Sequence, residues 1–600
     1  MAIKRLIKFN LPLILGSIVL SLFIIIAILD RTPQGAQKPL ADRCLSCHGD
    51  VRDMSPAHPN HVLGCAKCHL GNPYVADKKI AHQGMVKNPS NLHWIGKTCG
   101  QAGCHPRWAA HVRKSIMTTN NGIVSSTLFQ WQESTSPDDT TLHIARNVPD
   151  TSLTTSHLRK MCAGCHINKP TGDLPGEYGL RGGGCNDCHL VRSDSLQHPQ
   201  LTLQMGIDVC QKCHNRSDRT ALTYQGLFES EGYGTPFRQG GLSDDTLSGG
   251  RFYYHILPDV HFEKGLVCID CHPAEDVMGD GRKHAHLEDQ VHIRCETCHA
   301  ARLAKAPANN PVWKIIRSNP QLKVPGDSML ARVKQSLFLS NVMRMNGKIM
   351  LLRKLDGQAL PIPQNAHKAE CNLAGHERLS CQSCHSAYTP QCYGCHDVYD
   401  PRQKQLDKIS MKETKGRWSE GRSYLRFEDP TLGIDNRNRI MPFAPGCQVY
   451  LTVLRSDGQV KKQARYLTMA PFDPHSTRLK TPSCIDCHHS AKRLGLGQGS
   501  LHLKNGQLDV RQLYDAPAAH LGDVPLEQMV SVNGQALQKM ARLRARPFNK
   551  EEIKRIFRVS YCLTCHDRAR DAIYRNFARS LQRFRSEPTL PCNKITRAMP

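Results

Sequence analysis

A cysteine, two arbitrary residues, a second cysteine and a histidine recur as one unit eleven times along this chain. The copies are Cys44-Cys47-His48, Cys65-Cys68-His69, Cys162-Cys165-His166, Cys185-Cys188-His189, Cys210-Cys213-His214, Cys268-Cys271-His272, Cys295-Cys298-His299, Cys381-Cys384-His385, Cys392-Cys395-His396, Cys484-Cys487-His488 and Cys562-Cys565-His566. A further copy, Cys99-Gly-Gln-Ala-Gly-Cys104-His105, has four residues between its cysteines. Counted along the chain it is site 3 of twelve. A fold has to accommodate a Cys–Cys–His triplet, and whatever it binds, at each of these points.

Three chemistries use paired cysteines. Disulfides need no histidine beside them. Structural zinc sites combine two Cys-x-x-Cys half-sites and do not require histidine after every pair. Covalent haem attachment needs this order: two thiols for the vinyl groups and an adjacent imidazole for the iron. Every pair here is followed by His, so the sequence implies about twelve covalently bound c-type haems. The thioether cysteines number 24 of the 27, leaving Cys371, Cys447 and Cys592. Cys371 is a candidate thiolate ligand to iron, a disulfide partner for Cys447, or a free thiol.

Haem accounts for two oddities of composition. Apolar residues are 40% and aromatics 6%, with 44 Gly and 36 Pro. That is a thin supply of core for 600 residues, and apolar macrocycles can replace buried side chains. The formal charge is +27, which alone suggests nucleic acid or anionic lipid. Two propionates per haem offset most of it, and nucleic acid is excluded as a partner.

With twelve histidines committed, 19 of 31 remain, more than enough for a second imidazole on every iron. The candidate second ligands are His58, His61, His93, His111, His157, His198, His261, His284, His286, His292, His367, His376, His475, His502 and His520. Imidazole suits iron, and the His58-Pro-Asn-His61 pair before site 2 resembles the arrangement in small tetrahaem cytochromes, where the two histidines serve different haems. An iron with two imidazoles passes electrons, whereas an iron with one open or displaceable position can be catalytic.

The N-terminus reads as a membrane anchor, with a cleaved signal sequence as the alternative, and either exports the chain. Lys4, Arg5 and Lys8 precede an uncharged run, Leu11 to Leu29, that is long enough to span a bilayer. The expected organisation is anchor and linker over 1–38, an octahaem region over 39–300, a haem-free β insertion over 301–370, a dihaem region over 371–415, a second β insertion over 416–474, and a C-terminal region over 475–600 with two haems and a basic helix. Asn346-Gly347 between apolar runs and Asp457-Gly458 are hairpin signals. The expected fold class is a multihaem cytochrome c: mostly short helices and loops around packed haems, with small β-hairpin insertions in the C-terminal half.

The anchor and the motifs spread over about residues 40–566 together resemble the large, membrane-anchored, periplasmic multihaem cytochromes of bacterial respiratory chains. The resemblance implies two-histidine ligation, close haem packing and electron relay. It places the chain at the bacterial cytoplasmic membrane with its bulk in the periplasm. The implied partners are a membrane quinol-oxidising complex or other redox proteins, a periplasmic or outer-membrane acceptor, and the cytoplasmic membrane through the N-terminal helix. The alternative is a terminal oxidoreductase acting on a small nitrogen or sulfur compound at one open haem.

Overall fold

The computed structural model describes residues 42–144, 147–172, 176–191, 198–215, 220–229, 246–247, 251–364, 373–421, 424–446, 448–504, 507–512, 527–563, 565–587 and 589. The chain divides into two units, Met1–Pro89 with Arg192–Gln200, and Ser90–Val191 with Leu201–Pro600.

The first unit consists of four-residue helices, Cys44–Cys47, Asn60–Leu63, Ala66–His69 and Lys78–Ala81. None of these helices buries a side chain. Among its described residues only Val86 and Pro89 are buried. Helices this short gain almost nothing from their own hydrogen bonds. The order must come from elsewhere, and here it comes from polar clips: the Asp42 carboxylate accepts the backbone N–H of Cys44 at 2.9 Å and of Cys65 at 2.6 Å, tying site 1 to site 2.

The second unit has side-chain cores where the motifs are sparse. Strands Leu303–Lys305 (β1), Met329–Lys334 (β2), Leu337–Met345 (β3), Lys348–Leu352 (β4) and Ala359–Pro361 (β5) form an antiparallel meander in which each strand pairs with the next. The β3–β4 turn is made by Asn346 (φ 48°) and Gly347 (φ 76°). Both central residues are left-handed, which matches the right-handed twist of the flanking strands. Strand β3 is buried on both faces over Leu337–Met343. One face packs Phe338 and Met343 against Trp313 and Ile316 of the amphipathic helix Pro311–Ser318. The other packs Leu339 and Val342 against Cys271, Ile293 and Cys298. The sheet is therefore a wall behind sites 7 and 8.

A second β region is centred on strand Cys395–Asp407. It pairs antiparallel with Lys412–Gly421 and parallel with Val449–Leu454, which pairs with Val460–Tyr466. Its core gathers Trp131, Trp418, Leu451, Val453 and Tyr466. A further sheet joins Thr431–Ile434, Ile440–Pro445, Thr468–Pro471 and Lys539–Met540.

The C-terminal helices are fastened by one carboxylate. Asn549 caps helix Lys550–Arg558 in a reciprocal box with Glu552. Glu552 also accepts Arg546 at 2.6 and 3.0 Å and Arg378 at 3.0 Å. Burial works against its charge, but these donors and the Asn549 N–H outweigh burial and hold the carboxyl at about 2. A depressed carboxyl contributes stability above its unfolded value, and loses it as pH falls through the folded value. Glu552→Gln should therefore melt below the native chain at neutral pH, with the gap closing on acidification towards pH 2 in thermal unfolding followed by circular dichroism. A gap independent of pH would remove the carboxylate from this role.

The anchor at Leu11–Leu29 lies outside the described residues. Among the described residues no helix is long and apolar enough to cross a membrane: the helices that carry the motifs are single turns, far short of the ~20 residues a span needs. The expected cytoplasmic-membrane location, with the bulk of the chain in the periplasm, is corrected accordingly. Cys371, Cys447, Cys592, His367 and His520 also lie outside the described residues.

Candidate haem-attachment sites

Most motifs occupy one turn of helix. Cys44–Cys47, Ala66–His69, Asn186–His189, Cys268–Cys271, Cys295–His299, Cys381–His385 and Cys484–His488 are helical. Residues three and four apart on a helix lie on one face, so one turn brings both thiols and the imidazole to one side. The turn is closed by the histidine N–H donating to the first cysteine's carbonyl, at 2.9 Å in sites 1, 2 and 5 and 3.0 Å in sites 6 and 7. Site 3 keeps this closure despite its longer spacing: His105 N donates to Cys99 O at 2.9 Å. The extra residues are absorbed in a turn at Gly103, φ 82°. Before site 5, Gly182, Gly183 and Gly184 all have positive φ, and a Cβ at Gly184 would overlap the Ser90 carbonyl. The glycine run thus serves close backbone packing.

Six of the motif imidazoles are pinned through Nδ1 to an acceptor within 3.0 Å. His69 donates to Val86 O, His189 to Thr202 O, His299 to Pro363 O, His385 to Arg478 O and His488 to Ile556 O, all between 2.8 and 3.0 Å. His566 uses the Asp571 carboxylate at 2.8 Å. Such bonds leave Nε2 with its lone pair and set the ring's orientation, the arrangement required of a metal ligand. Burial pushes His189, His299 and His488 below the usual imidazole range and keeps them neutral.

Five motif imidazoles face a second imidazole. The pairs are His48–His82, His69–His198, His299–His261, His272–His475 and His488–His376, with ring centroids 6.0 to 6.3 Å apart. Two imidazoles on one metal ion have centroids about 6 Å apart, from a metal–nitrogen bond of ~2 Å plus ~1 Å to each ring centre. Stacked rings in contact would be closer. Three of the second imidazoles are also held at Nδ1: His82 by Lys78 O at 2.7 Å, His261 by Asp259 Oδ1 at 2.8 Å and His475 by Asp473 O at 3.1 Å. These residues fit an iron between each pair.

Burial is the first cause pushing the thiols of Cys185, Cys188 and Cys213 up to about 12 and those of Cys298 and Cys487 up to about 11. Among the described residues, three potential metal-ligating groups converge only at Asp42, Cys44 and Cys65. Among the described residues no two Cys-x-x-Cys half-sites close into a four-ligand cage.

Of the candidate second ligands, His198, His261, His376 and His475 lie opposite motif imidazoles. Others have different neighbours. His58 Nδ1 bonds Ser55 Oγ at 2.9 Å, and His61 sits on the exposed face of helix Asn60–Leu63. His93 packs on Trp94, and His111 donates to Gly279 O at 2.9 Å. His157 is buried between Trp131 and Trp418 and meets Asp397 at 3.0 Å. His284 and His292 share Asp280, at 3.0 and 3.5 Å. His286 meets Asp138 at 2.9 Å and His502 meets Ser500 Oγ at 2.7 Å. His82 was missed by sequence reasoning, because it lies 13 residues past His69 with no motif beside it. Its signal was only membership of the uncommitted pool.

Within the second unit the motifs touch in series. Cys99 and Cys185 pack on one apolar cluster, joining sites 3 and 5. Lys212 of site 6 meets Asp187 of site 5 at 2.6 Å. The thiols of Cys210 and Cys268 lie close enough to shift each other's titration, joining sites 6 and 7. Cys271 and Cys298 pack on the same face of β3, joining sites 7 and 8. Cys381 Sγ lies 3.5 Å from Glu296, joining sites 8 and 9. His376, five residues before Cys381, stacks with His488, joining sites 9 and 11. Cys484 Sγ lies 3.5 Å from Asp567 O and Ser560 Oγ donates to His488 O at 2.8 Å, joining sites 11 and 12.

Site 10 differs. Cys392 ends strand Thr389–Tyr393, Gly394 turns with φ 61°, and Cys395 and His396 begin the next strand. Its thiols face each other at 3.7 Å, and His396 lies against the Tyr450 ring, centroids 5.2 Å apart.

Residues 179–219, holding sites 5 and 6, match the family model described as a doubled CXXCH motif. No curated protein and no solved structure matches the chain. The motif indicates covalently bound c-type haem and a chain of cytochrome type, compatible with electron transfer.

Proposed function

We propose that all twelve motifs carry haem and that the protein relays electrons through them, in a multihaem cytochrome fold of short helices and loops packed around the cofactors. The observation that carries this reading is the unbroken series of contacts joining sites 3, 5, 6, 7, 8, 9, 11 and 12. Each haem, when bound, supplies a one-electron iron couple. The chain's own residues do the rest. Motif helices and pinned imidazoles hold neighbouring attachment points in fixed register. The paired histidines occupy both sides of the iron position, which excludes substrate. The β1–β5 wall keeps water from sites 7 and 8. The partners that follow are a redox protein that donates and another that accepts, as in a respiratory chain.

A second reading rests on site 10. Its imidazole faces Tyr450 where five other motif imidazoles face histidine, which suits an iron open to a small nitrogen or sulfur compound. One experiment separates the two. Electron paramagnetic resonance of the oxidised protein should show low-spin haem throughout for a relay, unchanged by cyanide. A high-spin component that cyanide converts would replace the relay with catalysis at that iron.

A further inference from the structure

Site 12 ends the series of motif contacts, and its surroundings are unlike those of the other sites. His566 is held by Asp571 and by the Tyr574 hydroxyl, which donates to its carbonyl. Cys565 is exposed. In the segment that follows, Arg568, Arg570, Arg575, Arg579 and Arg585 are all exposed, and none has an acidic partner among the described residues. Arg583 alone on helix Phe577–Ser586 is paired, with Glu587 at 3.1 Å. That helix buries Leu581 and turns its arginines outward. Like charges gathered on one surface repel one another and destabilise the fold. The two propionates of one haem neutralise at most two of them. Among the described residues nothing else offsets this charge.

We infer that the surface formed by residues 565–585 is an electron port that docks an acidic redox protein against site 12. The inference rests on the relay reading. A lipid surface would match the charge equally well, but it exchanges no electrons, and the segment that carries the patch begins at the site that ends the series of motif contacts. Complementary charge steers such a partner and aligns it, at a cost in salt sensitivity.

The test uses the holoprotein and an acidic flavodoxin as probe, with calorimetric binding and stopped-flow electron transfer measured at 20 and 200 mM salt. Binding should weaken at least tenfold between the two salts. The variant Arg568→Glu/Arg570→Glu/Arg575→Glu/Arg579→Glu should bind at least tenfold more weakly at low salt, with haem content and visible spectrum unchanged. Lys461→Glu/Lys462→Glu, on an exposed strand remote in sequence, should bind as the native protein does. If the quadruple variant loses haem, Arg568→Glu/Arg570→Glu takes its place. Flavodoxin that fails to bind, or that binds the variant as tightly as the native chain, overturns the port. So does tighter binding to anionic vesicles than to flavodoxin, lost in the same variant. Charge-dependent binding without electron transfer overturns the port and the relay reading together, whereas the outcomes above overturn the port and leave the relay standing.

Discussion

Purified under conditions that permit haem attachment, the protein should weigh ~7 kDa more than its polypeptide, at ~0.6 kDa for each covalent c-haem. Intact-mass spectrometry reads this directly, and the attachment survives denaturation because thioether bonds hold it. The value discriminates among the readings. An unmodified mass with bound zinc would end the haem account. A deficit of one haem would point first to site 10, where the two thiols lie on strands and face each other at 3.7 Å, or to site 3 with its longer loop. Peptides spanning 389–396 and 99–105 identify which.

The second large effect concerns one imidazole. His376 stacks with His488 at 6.0 Å, 23° from parallel. His376→Ala should leave the iron of site 11 with one protein ligand and produce a high-spin ferric signal worth one iron per chain, with the remaining haems unchanged. His157→Ala is the matched comparison. His157 was an equally good candidate by sequence, but it is buried against Trp131 and Trp418 and paired with Asp397. Its loss should destabilise the fold and leave the spin state alone. A high-spin signal from His157→Ala, or none from His376→Ala, would show that the ring separations do not report ligation.

The two histidines show where sequence reasoning stops. Both lie near a motif in the chain, His376 five residues before Cys381 and His157 five before Cys162. Neither ring faces the imidazole of the motif it precedes, although His157 lies beside that motif's Cys162. His376 reaches across to His488, over a hundred residues away, because Leu379–Ser380 pairs with Ile440 and turns the segment. His157 closes a capped helical turn whose next residue, Leu158, is fully buried, which carries its ring into the Trp pair. His82 shows the opposite failure, since no neighbouring motif drew attention to it. Local spacing carries no information on such long-range partners.

Other features were legible because their physics is local. Asn346-Gly347 makes a turn that needs two left-handed residues, and few other dipeptides tolerate it. The Gly182–Gly184 run before Cys185 is local in the same sense, since all three have a positive φ that glycine tolerates best. The thin core implied by composition is plain in the first unit, where the described helices bury nothing.

The sequence by itself determined that this chain carries the covalent haem-attachment motif and where its cysteines and histidines lie, because the motif is a run of five to seven consecutive residues and needs no fold. Only the tertiary structure decided which second imidazole faces which motif, in what order the sites touch, and that site 10 stands on strands beside Tyr450. Those depend on side chains brought together across hundreds of residues by sheets and caps, and spacing along the chain does not encode them.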